Sequence, residues 1–251
     1  MSVLSSPAIL LRAYSYGETS RILRFYTETH GVLGVMARGV RATGGGRGGS
    51  LSTFSQGILS FQHREGRELQ NYREFSASLT RSGLARHPLR LAGASVLGEL
   101  VLRHSESEGS PSLFDALSHG LSTMEVHPME SFLTGLLEEL WPLVVELGYR
   151  PLLEHCVECG REPGTEEMVR FDFGAGGLRC EGCGGSGAGP RLGPRARLQL
   201  AGLVVGNLGE ELLRPRAHLR LASDFITYHV SGGEPLRSMV VLYSLIPAHH
   251  A

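Results

Sequence analysis

All four cysteines of the chain lie in one stretch, "CVECGREPGTEEMVRFDFGAGGLRCEGC", as two Cys-x-x-Cys pairs: Cys156 with Cys159, and Cys180 with Cys183. Residues 160 to 179 separate the pairs. Thiolates are soft ligands, and four of them at this spacing suit one tetrahedral zinc ion. Four sulfurs complete the tetrahedron and leave no position for water or substrate, so such a centre is structural. A redox pair or inert thiols are the other readings of these residues. A disulfide framework is disfavoured, because the start "MSVLSSPAILLRAY" has no basic segment ahead of its apolar run to mark a secreted chain. Gly160 and Gly184 each follow the second cysteine of a pair, where a left-handed turn would aim backbone N–H groups at sulfur. Between the pairs, "MVRFDF", "GAGG" and "LRC" supply a small hairpin.

Other chemistry is hard to find. All 24 basic residues are arginine, which removes a phosphate-loop lysine and any Schiff base; a GC-rich genome also produces such usage. His63 and Glu65 imitate the His-x-Glu element of a zinc deaminase. No proline precedes Cys156, however, and His63 falls in a predicted strand, so that reading is set aside. Neither glycine run joins a strand to a helix as a nucleotide fingerprint requires. The 11 histidines are scattered. A non-enzyme is expected, and, with no apolar stretch near the ~20 residues of a membrane span, a cytoplasmic, nucleoid-associated one.

The elements that must position these residues change period along the chain. Five β-rich runs between residues 8 and 75, broken at Gly17, Gly31, a glycine-rich loop over 43–50 and the "EGRE" turn, predict a small OB-fold barrel. From Pro88 onward apolar residues recur at helical spacing, with Pro111, Pro128 and Pro235 suited to first turns. The expected fold class is α+β and multidomain. It has an N-terminal OB-fold β-barrel over 1–80, an all-α helical domain over 81–150 and 190–251, and an inserted four-cysteine, zinc-ribbon-like unit over 151–189.

Net charge is −1, but residues 1–75 carry +4 and residues 76–150 carry −4. The basic barrel is the candidate polyanion site. Ile9, Leu11 and Ala13 facing inward would put Arg12 and Tyr14 outside; Leu33, Val35 and Ala37 inward would do the same for Arg38. Arg21 and Arg24 lie on the second strand, Arg41 and Arg47 border the glycine loop, and Arg64 and Arg67 flank the turn between strands four and five. Cations track phosphates while rings stack on bases, which is how sequence-neutral strands are held. The same residues also describe a barrel with aromatic core and solvated arginines. Arg191, Arg195 and Arg197 form a second basic group after the cysteine unit.

The segments "YSYGETSRILRFYTETHGVLGVMARGVR", "ELGYRPLLEHCVECG" and "FDFGAGGLRCEGC" together resemble the RecO family of bacterial recombination mediators, in the same order along essentially the whole chain. The glycine-rich loop departs from that pattern, standing where OB-folds commonly place a helix. The resemblance implies a non-catalytic protein that binds single- and double-stranded DNA and anneals complementary strands. It further implies work with RecR in helping RecA replace single-strand-binding protein, and contact with that protein's acidic, apolar C-terminal tail. Leucine-rich helices over 88–104 and 235–245, with Arg90, Arg103 or Arg237 at the rim, are the expected tail groove. A zinc-ribbon RNA-binding or transcription-associated factor, or an adaptor that binds no nucleic acid, would use similar parts.

Overall fold

The computed structural model describes residues 2–40, 51–105, 108–184 and 189–247. The first compact unit, Met1–Val126, is built on five strands: β1 (Ser2–Tyr16), β2 (Ser20–Thr27), β3 (Gly31–Ala37), β4 (Gln56–His63) and β5 (Leu69–Leu79). They close a barrel in the order β1-β2-β3-β5-β4, antiparallel except for β3 against β5. This is the expected OB-fold. Its interior holds Ala8, Leu10, Leu23, Phe25, Val35, Ala37, Leu59, Phe61 and Phe75.

That interior corrects the expected facing of β1. Ala8 and Leu10 point inward, while Ile9 and Leu11 are buried on the other side of the wall. Four consecutive residues are buried because both faces of β1 are covered here, so alternation in the sequence carries no phase. A β-bulge between Leu10 and Arg12 then inserts Leu11 as an extra residue. Without it Arg12 and Tyr14 would point into the barrel like Leu10. With it they pair with Arg24 and Ile22 on the outer face.

The cover outside β1 and β2 comes from two helices, α1 (Pro88–His104) and α2 (Pro111–Val126). Proline opens each, with the His87 ring accepting from the Leu89 N–H and the Ser110 hydroxyl from that of Leu113. Gly98 of α1 lets Phe54 approach where a Cβ would collide, with Leu11 alongside. Tyr26 lies along Phe114 with ring centroids 6.4 Å apart. By its contacts the first compact unit extends to Val126 and takes in α1 and α2 beside the barrel.

Arg81 fastens this arrangement. It is 3% exposed and donates to the Phe54 carbonyl (2.8 Å), Gln56 Oε1 (2.8 Å), Ser118 O and Oγ (both 3.0 Å) and Ser122 Oγ (3.1 Å). A planar guanidinium with five N–H donors is the one side chain able to join a strand end to a helix in this way.

The second unit, His127–Ala251, contains α3 (Phe132–Glu146), a four-stranded sheet, α4 (Pro194–Val204), α5 (Pro215–Phe225) running on as a π turn over Ile226–Val230, and α6 (Arg237–Leu245). The sheet is ordered β6-β8-β7-β9, from β6 (Leu152–Cys156), β7 (Val169–Asp172), β8 (Gly177–Arg179) and β9 (Arg191–Leu192). β7 and β8 are the hairpin read from the sequence. Pro235 precedes α6 and does not begin it. Among the described residues no helix is long and apolar enough to cross a membrane.

Arg81→Ala removes five hydrogen bonds of a buried guanidinium and leaves the buried Phe54 carbonyl without that donor, which should lower the stability of the first unit by about 2–4 kcal/mol. Denaturant unfolding measures this, and a loss near zero would mean that α2 is held by packing alone.

Candidate nucleic-acid interface and metal centre

The cysteine unit is assembled by its backbone. Gly160 takes a left-handed φ of 72° and donates its N–H to the Cys156 carbonyl at 2.8 Å. The expectation for Gly184 is corrected. It has no positive φ, and its place is explained by crowding, since a Cβ there would sit 3.1 Å from the Cys180 carbonyl oxygen. The four sulfurs lie within 4.8 Å of one another, so they could hold a metal ion. Cys159 Sγ and Cys180 Sγ are 3.8 Å apart, which is the edge of a tetrahedron with metal–sulfur bonds of about 2.3 Å.

The electrostatics of this cluster call for a cation. Burial pushes the Cys156 thiol up, but N–H groups of Cys180, Cys159 and Glu158 aimed at its sulfur prevail and draw it down to about 6. Cys183, hydrogen-bonded to the sulfurs of Cys180 and Cys159, is pushed up to about 12. One thiolate forms readily and the last resists, so four coexist only around a positive ion. Outside the sulfurs, Arg161 makes a two-pronged pair with Glu167 (2.7 and 2.9 Å) and reaches toward Cys180. Glu167 also accepts from the N–H groups of Gly164 (2.8 Å) and Glu181 (2.9 Å), tying the two cysteine knuckles together, and its carboxyl is held down at about 2.

The unit is welded to its helices by arginine and aromatic contacts. Arg197 of α4 donates to the carbonyls of Gly164 (2.9 Å) and Thr165 (3.4 Å). Phe171 of β7 meets Phe225 of α5 at 6.0 Å, and Phe225 meets the fully buried Trp141 of α3 at 5.3 Å.

The barrel presents a different arrangement. Arg12, Tyr14, Ile22, Arg24, Gly34 and Met36 lie side by side across the outer face of β1, β2 and β3. Arg24 extends over Gly34, where its guanidinium comes within 3.1 Å of the position a Cβ would take. Arg38 continues this face and is exposed, as expected from β3, while Arg21 shares the Ala37 side at the rim. The turn between β4 and β5 borders the same face, with the Glu68 carbonyl 3.4 Å from the Gly34 Cβ position. Buried Gln70 holds that turn, accepting from the Arg64 N–H (2.7 Å) and donating to the carbonyls of Arg64 (3.0 Å) and Arg67 (2.7 Å). Among the described residues Arg12, Arg21, Arg24, Arg38 and Arg67 form no ion pair. Arg41, Arg47 and the glycine-rich loop lie outside the described residues.

Other sequence candidates are committed elsewhere. Arg195 pairs with Glu210 at 3.2 Å, and Arg197 holds the cysteine unit. Arg90 donates to the carbonyls of Met124 and Glu125 at the end of α2, and Arg103 faces Glu99 at 3.5 Å. The residues that sequence reasoning missed are Arg81, Gln70 and a cavity of about 460 Å³ in the second unit. Met168, Leu192, Leu213 and Leu221 line that cavity, with Arg191 and Arg214 beside them. Their partners are remote in sequence, so no spacing signals them.

The described residues thus comprise a closed OB barrel with arginines on its outer face that form no ion pair among them, and helices that carry a four-cysteine cluster. The family model for Recombination protein O N terminal matches residues 1–80, and that for Recombination protein O C terminal matches residues 86–238. The chain is 33% identical over 237 residues to the DNA repair protein RecO of Rubrobacter xylanophilus, covering 87% of this chain and 92% of that one. It is 32% identical over 184 residues to that of Syntrophotalea carbinolica (73% and 70%) and 29% over 178 to that of Bacillus subtilis (70% and 66%). The chain belongs to the RecO family of DNA repair proteins.

Cys159→Ser should strip the metal and, because folding and binding are coupled, loosen Phe171 and Phe225 around Trp141. Trp141 is the only tryptophan, so emission should shift to the red as metal content falls. Unchanged emission after full metal loss would show that the helices do not depend on the cysteine unit.

Proposed function

We propose that this chain is a non-catalytic recombination mediator that binds single- and double-stranded DNA and anneals complementary strands. With RecR it assists RecA in loading onto strands coated by single-strand-binding protein, in the cytoplasm and about the nucleoid. The observation that carries this reading is the outer barrel face, where Arg12, Arg24 and Arg38 have no ion-pair partner among the described residues. Annealing needs no bond-making group; a cationic surface lowers the repulsion between two polyanions and releases their counterions. The ion of the cysteine unit is zinc on this reading, supported by the sulfur spacing and the all-thiolate donor set. Purified protein should carry about one zinc per chain.

Arg24→Glu with Arg38→Glu should weaken binding on every sequence alike. It should also flatten the logarithmic salt dependence by about 1.4 for single strands, roughly 0.7 for each phosphate left without its arginine. An unaltered slope would remove the barrel face as the site.

The acidic tail of single-strand-binding protein is placed in the cavity of the second unit, not on the helices 88–104 and 235–245. Arg90 is engaged by the end of α2 and Arg103 by Glu99, whereas the side chains of Arg191 and Arg214 make no internal hydrogen bond among the described residues and flank apolar walls. A carboxylate beside an apolar ring matches such a pocket. A labelled acidic peptide ending in phenylalanine should bind at least about tenfold more weakly after Arg191→Glu with Arg214→Glu, the worth of a single charge-assisted hydrogen bond being enough for that. DNA binding should be unaffected. Peptide binding that survives this double change would place the contact elsewhere.

A further inference from the structure

From Arg12 to Tyr16 of β1 every residue is exposed while still paired to β2, whose Arg21–Arg24 stretch is paired in turn to β3. Tyr14 is 45% exposed and Tyr16 56%. Two residues apart on an extended strand, they share a face, and their Cα atoms are separated by about 6.7 Å. Among the described residues neither ring packs against another aromatic ring. Their cross-strand neighbours are Ile22 and Ser20, and a serine beside Tyr16 adds little bulk to that end of the face. Arg12 Nη1 donates to the Tyr14 hydroxyl at 3.4 Å, which steadies the first ring, and Arg24 pairs with Arg12 across the strands.

Stacked bases succeed one another at about 3.4 Å, so side chains standing upright from Cα atoms at twice that distance can admit one base between them. We propose that Tyr14 and Tyr16 form a slot for a single unstacked nucleobase, with Arg12 and Arg24 beside it on the flanking phosphates. The proposal rests on the barrel face being the DNA site and adds what that face selects. Arginines meet phosphates in single strands and duplexes alike. A base inside a duplex is already stacked on both sides and enters such a slot only by leaving its neighbours, at a cost of stacking and pairing. The slot therefore supplies preference for single strands, and the arginines supply affinity for both. Because every base has a π-face, the preference is independent of sequence.

The test uses the full chain in its metal-loaded form, with a thymidine oligonucleotide, the same oligonucleotide made abasic, and a duplex. Tyr14→Ala and Tyr16→Ala should each weaken binding to the intact single strand about fivefold to a hundredfold, the range of one base–aromatic stack. Tyr16→Phe, which keeps the ring, should bind as the unaltered protein does. The penalty should vanish on the abasic strand and on the duplex, and the salt dependence should be unchanged. An alanine penalty of equal size on intact, abasic and duplex DNA, or none on any, would overturn the slot. Arg24→Glu separates the two ideas in that event. If it still weakens single strand and duplex alike, the barrel face stands without a base slot; if it too has no effect, the barrel face itself falls as the site.

Discussion

A guanidinium keeps its charge at any pH at which the chain folds, so every arginine must be given acceptors, an anion or water. This constraint governs the whole molecule, because arginine is its only cationic side chain apart from histidine. Where acceptors were built in, the arginine holds structure. Arg81 joins the start of β4 to α2, Arg170 ties the cysteine unit through the carbonyls of Gly184 and Gly189, and Arg161 and Arg197 lock its first knuckle. Where none were built in, the charge is left for a partner. Among the described residues those positions include Arg24 and Arg38 on the barrel and Arg191 and Arg214 beside one cavity in the second unit, and also Arg73, Arg86 and Arg150.

The cysteine centre is the same problem with the sign reversed. Four thiolates within 4.8 Å would repel one another until a cation joined them, and Arg161 stands where it would offset part of the residual negative charge. The contacts from Phe171 through Phe225 to Trp141 carry the order so gained into the helices. Beside this cluster run β7, preceded by Met168, and β9, which carries Arg191, and both residues border the cavity.

The barrel, its helices and the grouping of the four cysteines were legible in the sequence, because each depends on short-range signals: strand runs between glycine turns, proline-led helical periods, paired cysteines. What escaped was set by contacts between distant segments. Ile9, Leu10 and Leu11 are all buried, so no alternation revealed which faced the core, and a one-residue bulge decided where Arg12 and Tyr14 point. Arg12 and Tyr14 were therefore placed outside correctly on a wrong phase for Ile9 and Leu11. Arg81 reads as one more surface cation until Ser118 and Ser122 are brought to it by α2. Arg195 and Arg197 look like a basic track in sequence, but Glu210 and the carbonyls of residues 163–165 claim them.

The central claim is a partition of the arginines into those that hold the fold and those that await DNA. Modification by an arginine-selective dicarbonyl reagent, with and without saturating single-stranded DNA, tests it residue by residue. The account predicts that Arg12, Arg24, Arg38 and Arg67 react in the free protein and are shielded by DNA, while Arg81, Arg170 and Arg197 stay unreactive in both states. Shielding confined to residues 191–214, with Arg12, Arg24 and Arg38 reacting equally in the presence of DNA, would contradict it.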